Sequence, residues 1–375
     1  MLSITSCADY SEKSCENALK TALSAINGLD WVKPGMRVGI KANLVSMLKP
    51  DAAATTHPAL ICALVKMLKE RGAEVVIGDS PGGLYTQLYV DRVYSATGMR
   101  EAEKAGAMLN RDFSCSEAVF SDAKRVKKFE YTSWLDSCDG IINFCKLKTH
   151  GMMGMSAAVK NMFGAVPGTR KPEMHYLYPD AGDFAHMLVD INEFFKPRLC
   201  IVDAVTGMEG NGPTSGTPRH IGCIVAGASA YEVDMACAEI IGISEDAVPT
   251  LTAARERGLS PEKYEISGDI APFIQRDVIL PPKHDVKFFA GSPLGSAVSK
   301  LLSAKPMLVK KLCVGCEKCK QVCPADAIVM RDKKPVIDRK KCIRCFCCQE
   351  FCPKGALEAK RPVIARVLAK GREEA

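Results

Sequence analysis

From about residue 37 the chain alternates short apolar runs with stretches whose apolar positions recur every three or four residues. RVGIKANLV is followed by HPALICALVKMLKERG and then by AEVVIGDS, which is a βαβ rhythm. The spacing predicts a helix over Pro58 to Arg71, with Leu60, Ile61, Leu64, Val65 and Leu68 on one face and Gly72 at the C-terminal cap. The next run, Glu74 to Gly78, is continuously apolar, as suits a strand buried on both faces of a parallel sheet. Further strands are expected at Gly140 to Cys145, Arg198 to Asp203 and Ile221 to Ala226. Helices are expected near Ser156 to Phe163, Asp183 to Phe195 and Glu232 to Ile241. The pattern predicts an α/β body with a mainly parallel sheet, whose right-handed crossovers put the strands' C-terminal ends on one rim, where open α/β sheets bind ligands.

Polar side chains gather at those expected strand ends. Lys41 and Asn43 end the first, Asp79 and Ser80 the second, Lys146, Lys148 and His150 follow the third, and Asp203 and Thr206 follow the fourth. Any one of them also fits a chain that merely surfaces at a strand end; together they define a candidate site. The densest piece is KLKTHGMMGMSAAVKNMFG, residues 146–164, where a glycine-flanked turn opens a helix bearing Lys160 and Asn161. Amides at such a helix start, with Lys41, Asn43, Lys146, Lys148, Lys160 and Asn161, suit an anionic small molecule. His150 is a candidate proton carrier near neutral pH, with Asp79 and Asp203 as further acid–base candidates. The same segment also reads as a solvated loop and a helix whose methionines fill core gaps.

Composition adds class rather than detail. With 375 residues, 47% hydrophobic and 25% charged, the chain is an ordinary globular protein with room for one large and one small domain. MLSITSCADYSEKSC has no basic stretch followed by an apolar run, and no segment reaches the length of a membrane span, so a cytoplasmic protein without membrane contact is expected. The charge is uneven: residues 310–375 hold 17 Lys and Arg against 8 Asp and Glu, while the chain as a whole carries +7. That basic segment suits an acidic redox partner or is a solvated face. Nucleic acid is not expected, because no exposed aromatics interleave with the basic residues.

Eighteen cysteines without a secretion signal point to metal ligands rather than disulfides. Cys313-x2-Cys316-x2-Cys319-x3-Cys323-Pro324 recurs as Cys342-x2-Cys345-x2-Cys348-x3-Cys352-Pro353, a repeat of 29 residues. In this spacing three cysteines wrap one cubane, while the fourth, before proline, ligates the other. The expected sets are therefore crossed: Cys313, Cys316, Cys319 and Cys352 for one [4Fe–4S] cluster, Cys342, Cys345, Cys348 and Cys323 for the second. The runs resemble two-cluster bacterial ferredoxins over about residues 308–358. Zinc is the competing ligand, but its sites pair two-cysteine knuckles rather than four-cysteine runs ending in Cys-Pro. Cys347 breaks the spacing and is expected to be an extra thiol. The nine cysteines before residue 313 show no ligand spacing, and Cys145 alone stands beside candidate site residues.

Other cofactor motifs are mostly missing. Gly207-Met-Glu-Gly210-Asn-Gly212 follows a strand, yet Pro213 and a turn-rich stretch replace the helix that a dinucleotide fingerprint needs, so a loop is expected. A flavin is left open, since many flavin sites carry no short signature, but no motif indicates one. Taken with TTHPAL, EVVIGDSPGG, INFCKLKTHGMMGMSAAVKNMFGAVPG and VDAVTGMEGNGP, the cysteine runs resemble the domain-of-unknown-function 362 family with a ferredoxin extension. The resemblance implies a domain order and no particular reaction.

The expected organisation is an α/β body over 1–285, a connection with a short helix over 286–307, a small α+β ferredoxin-like domain over 308–358 and a basic tail over 359–375. The leading functional expectation is an iron–sulfur oxidoreductase that takes electrons from a soluble redox partner through two [4Fe–4S] clusters to a substrate or cofactor on the sheet rim. The competing class is a ferredoxin-type carrier or adaptor docking to an enzyme, and a third is a cofactor-maturation or metal-handling protein. A polar rim pocket beside a cluster favours the first, a flat rim the second.

Overall fold

The computed structural model describes residues 1–281 and 303–361. The connecting helix expected at 286–307 and the basic tail at 359–375 thus fall largely outside the described residues. No helix among the described residues is long and apolar enough to cross a membrane.

The body is built on a sheet of nine strands. These are β1 (Leu2–Ser6), β2 (Arg37–Lys41), β3 (Glu74–Gly78), β4 (Met108–Leu109), β7 (Gly140–His150), β8 (Gly154–Ser156), β9 (Leu199–Glu209), β10 (Thr217–Gly227) and β11 (Ile266–Ser267), while β5 (Cys115–Val119) and β6 (Lys128–Thr132) form a separate hairpin. Across the sheet the order is β11-β1-β10-β9-β7-β2-β3-β4, with β8 paired to the C-terminal end of β7. Neighbours β9, β7, β2, β3 and β4 are parallel, so the sheet is mainly parallel. The strand at 221–226 departs from that expectation: it belongs to β10, which returns from β9 through the 210–216 loop and is antiparallel to both β9 and β1. A hairpin must reverse the chain, whereas a parallel neighbour needs a crossover of a dozen residues or more.

Strand alternation divides the core. Ile40, Ile77, Ile142, Phe144 and Ile201 pack with α1 (Glu12–Ala25), α2 (Pro58–Glu70) and α3 (Gln87–Ala96). Cys145, Leu147, Cys200, Val202 and Val225 pack on the other face, with α5 (Ala158–Asn161), α7 (Ala181–Phe195), α8 (Ala230–Ile240) and α9 (Pro249–Arg255), while short α4 (Glu101–Lys104) and α6 (Lys171–Leu177) complete the body. Successive side chains point to opposite faces, so each apolar run feeds both cores. Each fully buried Leu, Ile or Val contributes about 1.5–3 kcal/mol.

Two strands run longer than their apolar patterns suggest. Lys146, Lys148 and His150 do not follow a strand but lie inside β7, and Asp203 and Thr206 lie inside β9. Polar residues end the apolar signal before the hydrogen-bonded ladder ends. The helix expected at 156–163 is broken into β8, one α turn at α5 and a 3-10 turn at Met162–Ala165.

The small C-terminal region is ferredoxin-like. Its elements are β12 (Lys305–Leu308), α10 (Lys318–Gln321), β13 (Ile328–Arg331), β14 (Lys334–Ile337), α11 (Cys347–Glu350) and β15 (Leu357–Lys360). Shifting the first three by the sequence repeat of 29 gives the last three. Pairing is exchanged between repeats: β12 pairs with β15, β13 with β14. Glu317 and Phe346 hold the same left-handed backbone, φ 63 and 60°, just before the two short helices.

Candidate functional site

The repeat folds its cysteines around two separate cavities. Cys313, Cys316, Cys319 and Cys352 wall one of them. Cys323, Cys342, Cys345 and Cys348 wall the other, which the fully buried Cys347 also reaches. The Cys-Pro cysteine of each run has turned away to its neighbour's cavity. The amide of Ala327 donates to Cys323 Sγ and that of Ala356 to Cys352 Sγ, both at 3.2 Å. An N–H aimed at sulfur stabilises a thiolate, the form that binds iron. The residues present therefore fit two thiolate-bound clusters.

A larger chamber, about 400 Å³, lies where the sheet rim meets this module. The body contributes the loops after β2 and β3, the end of β7 and the 160–171 segment; the module contributes Lys318, Gln321, Val322 and Glu350 to Pro353. Cys352 lines this chamber as well as its own cluster cavity. Phe163, Phe351 and Met47 give it apolar walls.

Lysines dominate the polar lining. Lys148, fully buried, donates to Asn43 Oδ1 at 2.6 Å and to the Ala54 carbonyl at 2.8 Å, and burial lowers it to about 7. Lys171 donates to the Ser80 carbonyl and is lowered by burial to about 8. Lys160 lies 4.8 Å from the Phe163 ring centroid and is also lowered by burial. Lys41 sits behind this lining. Its ammonium pairs with Asp79 Oδ1 at 2.8 Å, reaches Asn161 Oδ1 at 3.4 Å, and is closed from solvent. Asn161 in turn donates to the Lys41 carbonyl and to Asn143 Oδ1. Asp79 lines the chamber with its charge already matched.

His150 also faces the chamber. Its Nδ1 accepts from the amides of Met152 and Met153 at 3.1 and 3.2 Å, so the neutral ring carries its proton on Nε2. That tautomer is a proton donor.

Lys146 and Asp203 are not in the chamber lining. They are partners across β7 and β9, 2.8 Å apart, on the face that holds Ile142 and Ile201. Lys41 neighbours Ile40 in β2 and so points to the opposite face. Cys145 is buried too, and burial pushes its thiol well up, so it is a core residue rather than a reactive one.

Several site residues gave no signal in the sequence. Lys171 lies in a polar segment with no motif, and Glu350 lies inside a cysteine run whose spacing holds the eye. The β9–β10 turn, the Gly210 to Gly216 stretch with its failed dinucleotide pattern, is the arm that grips the module. Thr214 Oγ1 donates to the Glu350 carbonyl at 2.9 Å, and Gln349 Nε2 donates to Asn211 Oδ1 and to the Gly212 carbonyl. The Pro81-Gly82-Gly83 loop provides a second seat: a Cβ on Gly82 would lie 2.6 Å from the Phe351 ring. Gly82→Ala is expected to displace Phe351 and cost about 1–3 kcal/mol of overpacking. Urea denaturation reads this loss, and faster amide exchange across 347–353 would locate it at the seat.

Such a body and module define an α/β protein joined to an iron–sulfur module of the ferredoxin type. The chain belongs to the family described as domain of unknown function (DUF362), whose model matches residues 38–239, and a 4Fe-4S dicluster domain model matches residues 305–353. It is 30% identical over 265 residues to a thylakoid-associated protein of Synechocystis sp., covering 69% of this chain and 79% of that one. Two solved structures are distantly similar. The lactate racemase apoprotein from Thermoanaerobacterium thermosaccharolyticum is 11% identical with a TM-score of 0.35, over 59% of this chain and 54% of that one. A Thermotoga maritima protein is 12% identical with a TM-score of 0.34, over 56% of this chain and 53% of that one. The chain thus spans about half the length of each structure.

Proposed function

We propose that this protein is an iron–sulfur oxidoreductase, which passes electrons from a soluble donor through two [4Fe–4S] clusters to a substrate or cofactor held in the rim chamber. The observation that carries the reading is the double position of Cys352, which walls a cysteine-lined cavity and the lysine-lined chamber at once. In this reading one cluster is held by Cys313, Cys316, Cys319 and Cys352, the other by Cys342, Cys345, Cys348 and Cys323. The grouping of these residues around two cavities supports that assignment.

Bound clusters supply electrons one at a time. Organic reductions also take up protons, and the chain's own residues must bring them. His150 offers the Nε2 hydrogen, and Lys148, lowered to about 7, holds a transferable proton near neutrality. Asn43 fixes the Lys148 ammonium, while Asp79, Lys41 and Asn161 form a charge-matched floor that orients rather than reacts. A chamber of about 400 Å³ falls in the range of small-molecule and cofactor sites, so a flavin remains a candidate occupant. A carrier that only presented its clusters to an enzyme would need no such enclosure. The thiolate count also suits a reducing compartment, and we place the protein in the cytoplasm.

Anaerobic purification with iron and sulfide analysis tests the reading, together with the absorbance spectrum of any small molecule released on denaturation. About eight irons per chain are expected for two cubanes. Zinc in place of iron would overturn the reading. Iron-loaded protein whose reduced clusters deliver no electrons to any chamber ligand would leave only the carrier.

A further inference from the structure

Lys160 stands apart from the other chamber lysines. Lys148 has two oxygen acceptors, Lys171 has the Ser80 carbonyl and Lys41 has Asp79. Lys160 is only 8% exposed and lines the chamber, yet its ammonium has no hydrogen-bond acceptor among the described residues. The Phe163 and Phe184 rings stand 4.8 and 6.0 Å away, and the Glu350 carboxylate acts on it through space without a hydrogen bond. A largely buried ammonium without a hydrogen-bond acceptor lacks the partner that such groups normally find.

The charge around it is lopsided in the same sense. Lys148, Lys160, Lys171 and Lys318 line the chamber, opposed by Asp79 and Glu350. Asp79 is already matched by Lys41, which leaves Glu350 as the one carboxylate in the lining for Lys148, Lys160 and Lys171 to share. A monoanion would still leave lysines crowding one another across a partly desolvated space. Four lysines against Glu350 leave +3, and a dianion lowers that to +1. Phe163, Phe351, Met47 and Val322 ask at the same time for an apolar body.

We propose that the chamber takes a small organic acid or phosphate ester that bears at least two negative charges on an apolar frame, with Lys160 as its principal anchor. This rests on the reading of the chamber as the place where electrons are delivered. The ligand completes the coordination that Lys160 lacks, and Lys148 and Lys171 flank it. Binding then draws protons onto the flanking lysines, because an anion favours their charged forms. Lys148 is faced by Glu350, Asp79, Lys160 and Lys146, and Lys171 by Asp79, Lys41, Lys160 and Glu350, with His150 also in the lining. The charged lysines bind the anion, so affinity is greatest below about 7 and falls as pH rises through 7 to 8, where Lys148 and then Lys171 lose their protons.

The test is titration calorimetry on the full-length, iron-loaded, oxidised protein at pH 6.5 and 9, with succinate, phenyl phosphate (second pKa about 6, so mainly dianionic at both) and acetate as probes. At least one dianion is expected to saturate at pH 6.5, at least tenfold tighter than acetate, and to weaken at least tenfold at pH 9. Succinate alone would assign a carboxylate source, phenyl phosphate alone a phosphate source. Lys160→Met is expected to weaken the dianion at least tenfold, Lys160→Arg only a few-fold, and Lys320→Met, on an exposed residue outside the chamber lining, not at all. Iron content and circular dichroism of the variants establish that they fold. The proposal fails if neither dianion saturates at pH 6.5, if acetate binds as well, or if Lys160→Met leaves affinity unchanged. Nothing turns over in this experiment, so dianion binding bears on the ligand class alone, while failure to reduce any chamber ligand, read separately, bears on the oxidoreductase reading.

Discussion

Cys352→Ala is expected to lower the iron content from about eight to about four per chain and to abolish electron delivery into the rim chamber, because a [4Fe–4S] cluster needs four thiolates. The variant is informative because Cys352 belongs by sequence to the second cysteine run and by position to the first cavity. With crossed ligand sets, Cys316→Ala/Cys352→Ala removes no more iron than either single change, since both residues serve one cluster. Cys316→Ala/Cys342→Ala, drawn from different cavities, removes nearly all of it. With each run binding its own cluster, Cys316→Ala/Cys352→Ala would instead strip both. Iron and sulfide analysis separates the two arrangements, and paramagnetic resonance of the dithionite-reduced variants shows which centre survives. Cys352→Ala protein that kept all its iron and still reduced a chamber ligand would remove the observation on which the oxidoreductase reading rests.

The module was the part most legible in the sequence. Its eight cysteines and two Cys-Pro turns occupy fixed offsets, and the fold groups them around two small cavities. Apolar runs announced β2, β3 and α2 because each is buried along its length or along one face. The first 36 residues carried no such reading, yet β1 and α1 lie there; β1 is short, and α1 buries mainly small residues such as Cys15, Ala18 and Ala22. Strand ends were harder for a physical reason. Lys146, Lys148 and Asp203 are charged and read as surface, but each finds a partner that permits burial, and partners distant in sequence leave no local trace. The chamber was legible only by half. Its body residues sit at strand ends, whereas Lys171, Glu350 and Phe351 reach it through folding of separate segments. The arm from Asn211 to Thr214 looked like a broken nucleotide motif because its partners, Gln349 and Glu350, lie far along the chain.

Asp203→Ala is expected to destabilise the protein by about 3–5 kcal/mol while leaving the chemistry of the folded fraction within a few-fold, the reverse of what a catalytic acid would show. Asp203 is wholly buried, and every contact of its carboxylate is structural. Oδ2 pairs with the Lys146 ammonium at 2.8 Å and accepts from the His57 amide at 2.9 Å, while Oδ1 accepts from the Tyr10 hydroxyl at 2.9 Å. The Tyr10 hydroxyl accepts from Lys146 and from the Thr206 amide, and the Tyr10 ring stacks on His57 at 3.6 Å. One carboxylate therefore ties the segment after β1, the start of α2, and the middles of β7 and β9. Alanine would strand the Lys146 ammonium in the core. Asp203→Asn keeps the shape and an acceptor, so its cost should fall to about 1–3 kcal/mol. Urea denaturation gives the stability order wild type, Asn, Ala. Dianion affinity at pH 6.5 and electron delivery below the unfolding transition read the chamber, which the Tyr10–Asp203 knot does not line. Asp203→Ala protein of wild-type stability that had lost electron delivery would return Asp203 to the list of proton donors.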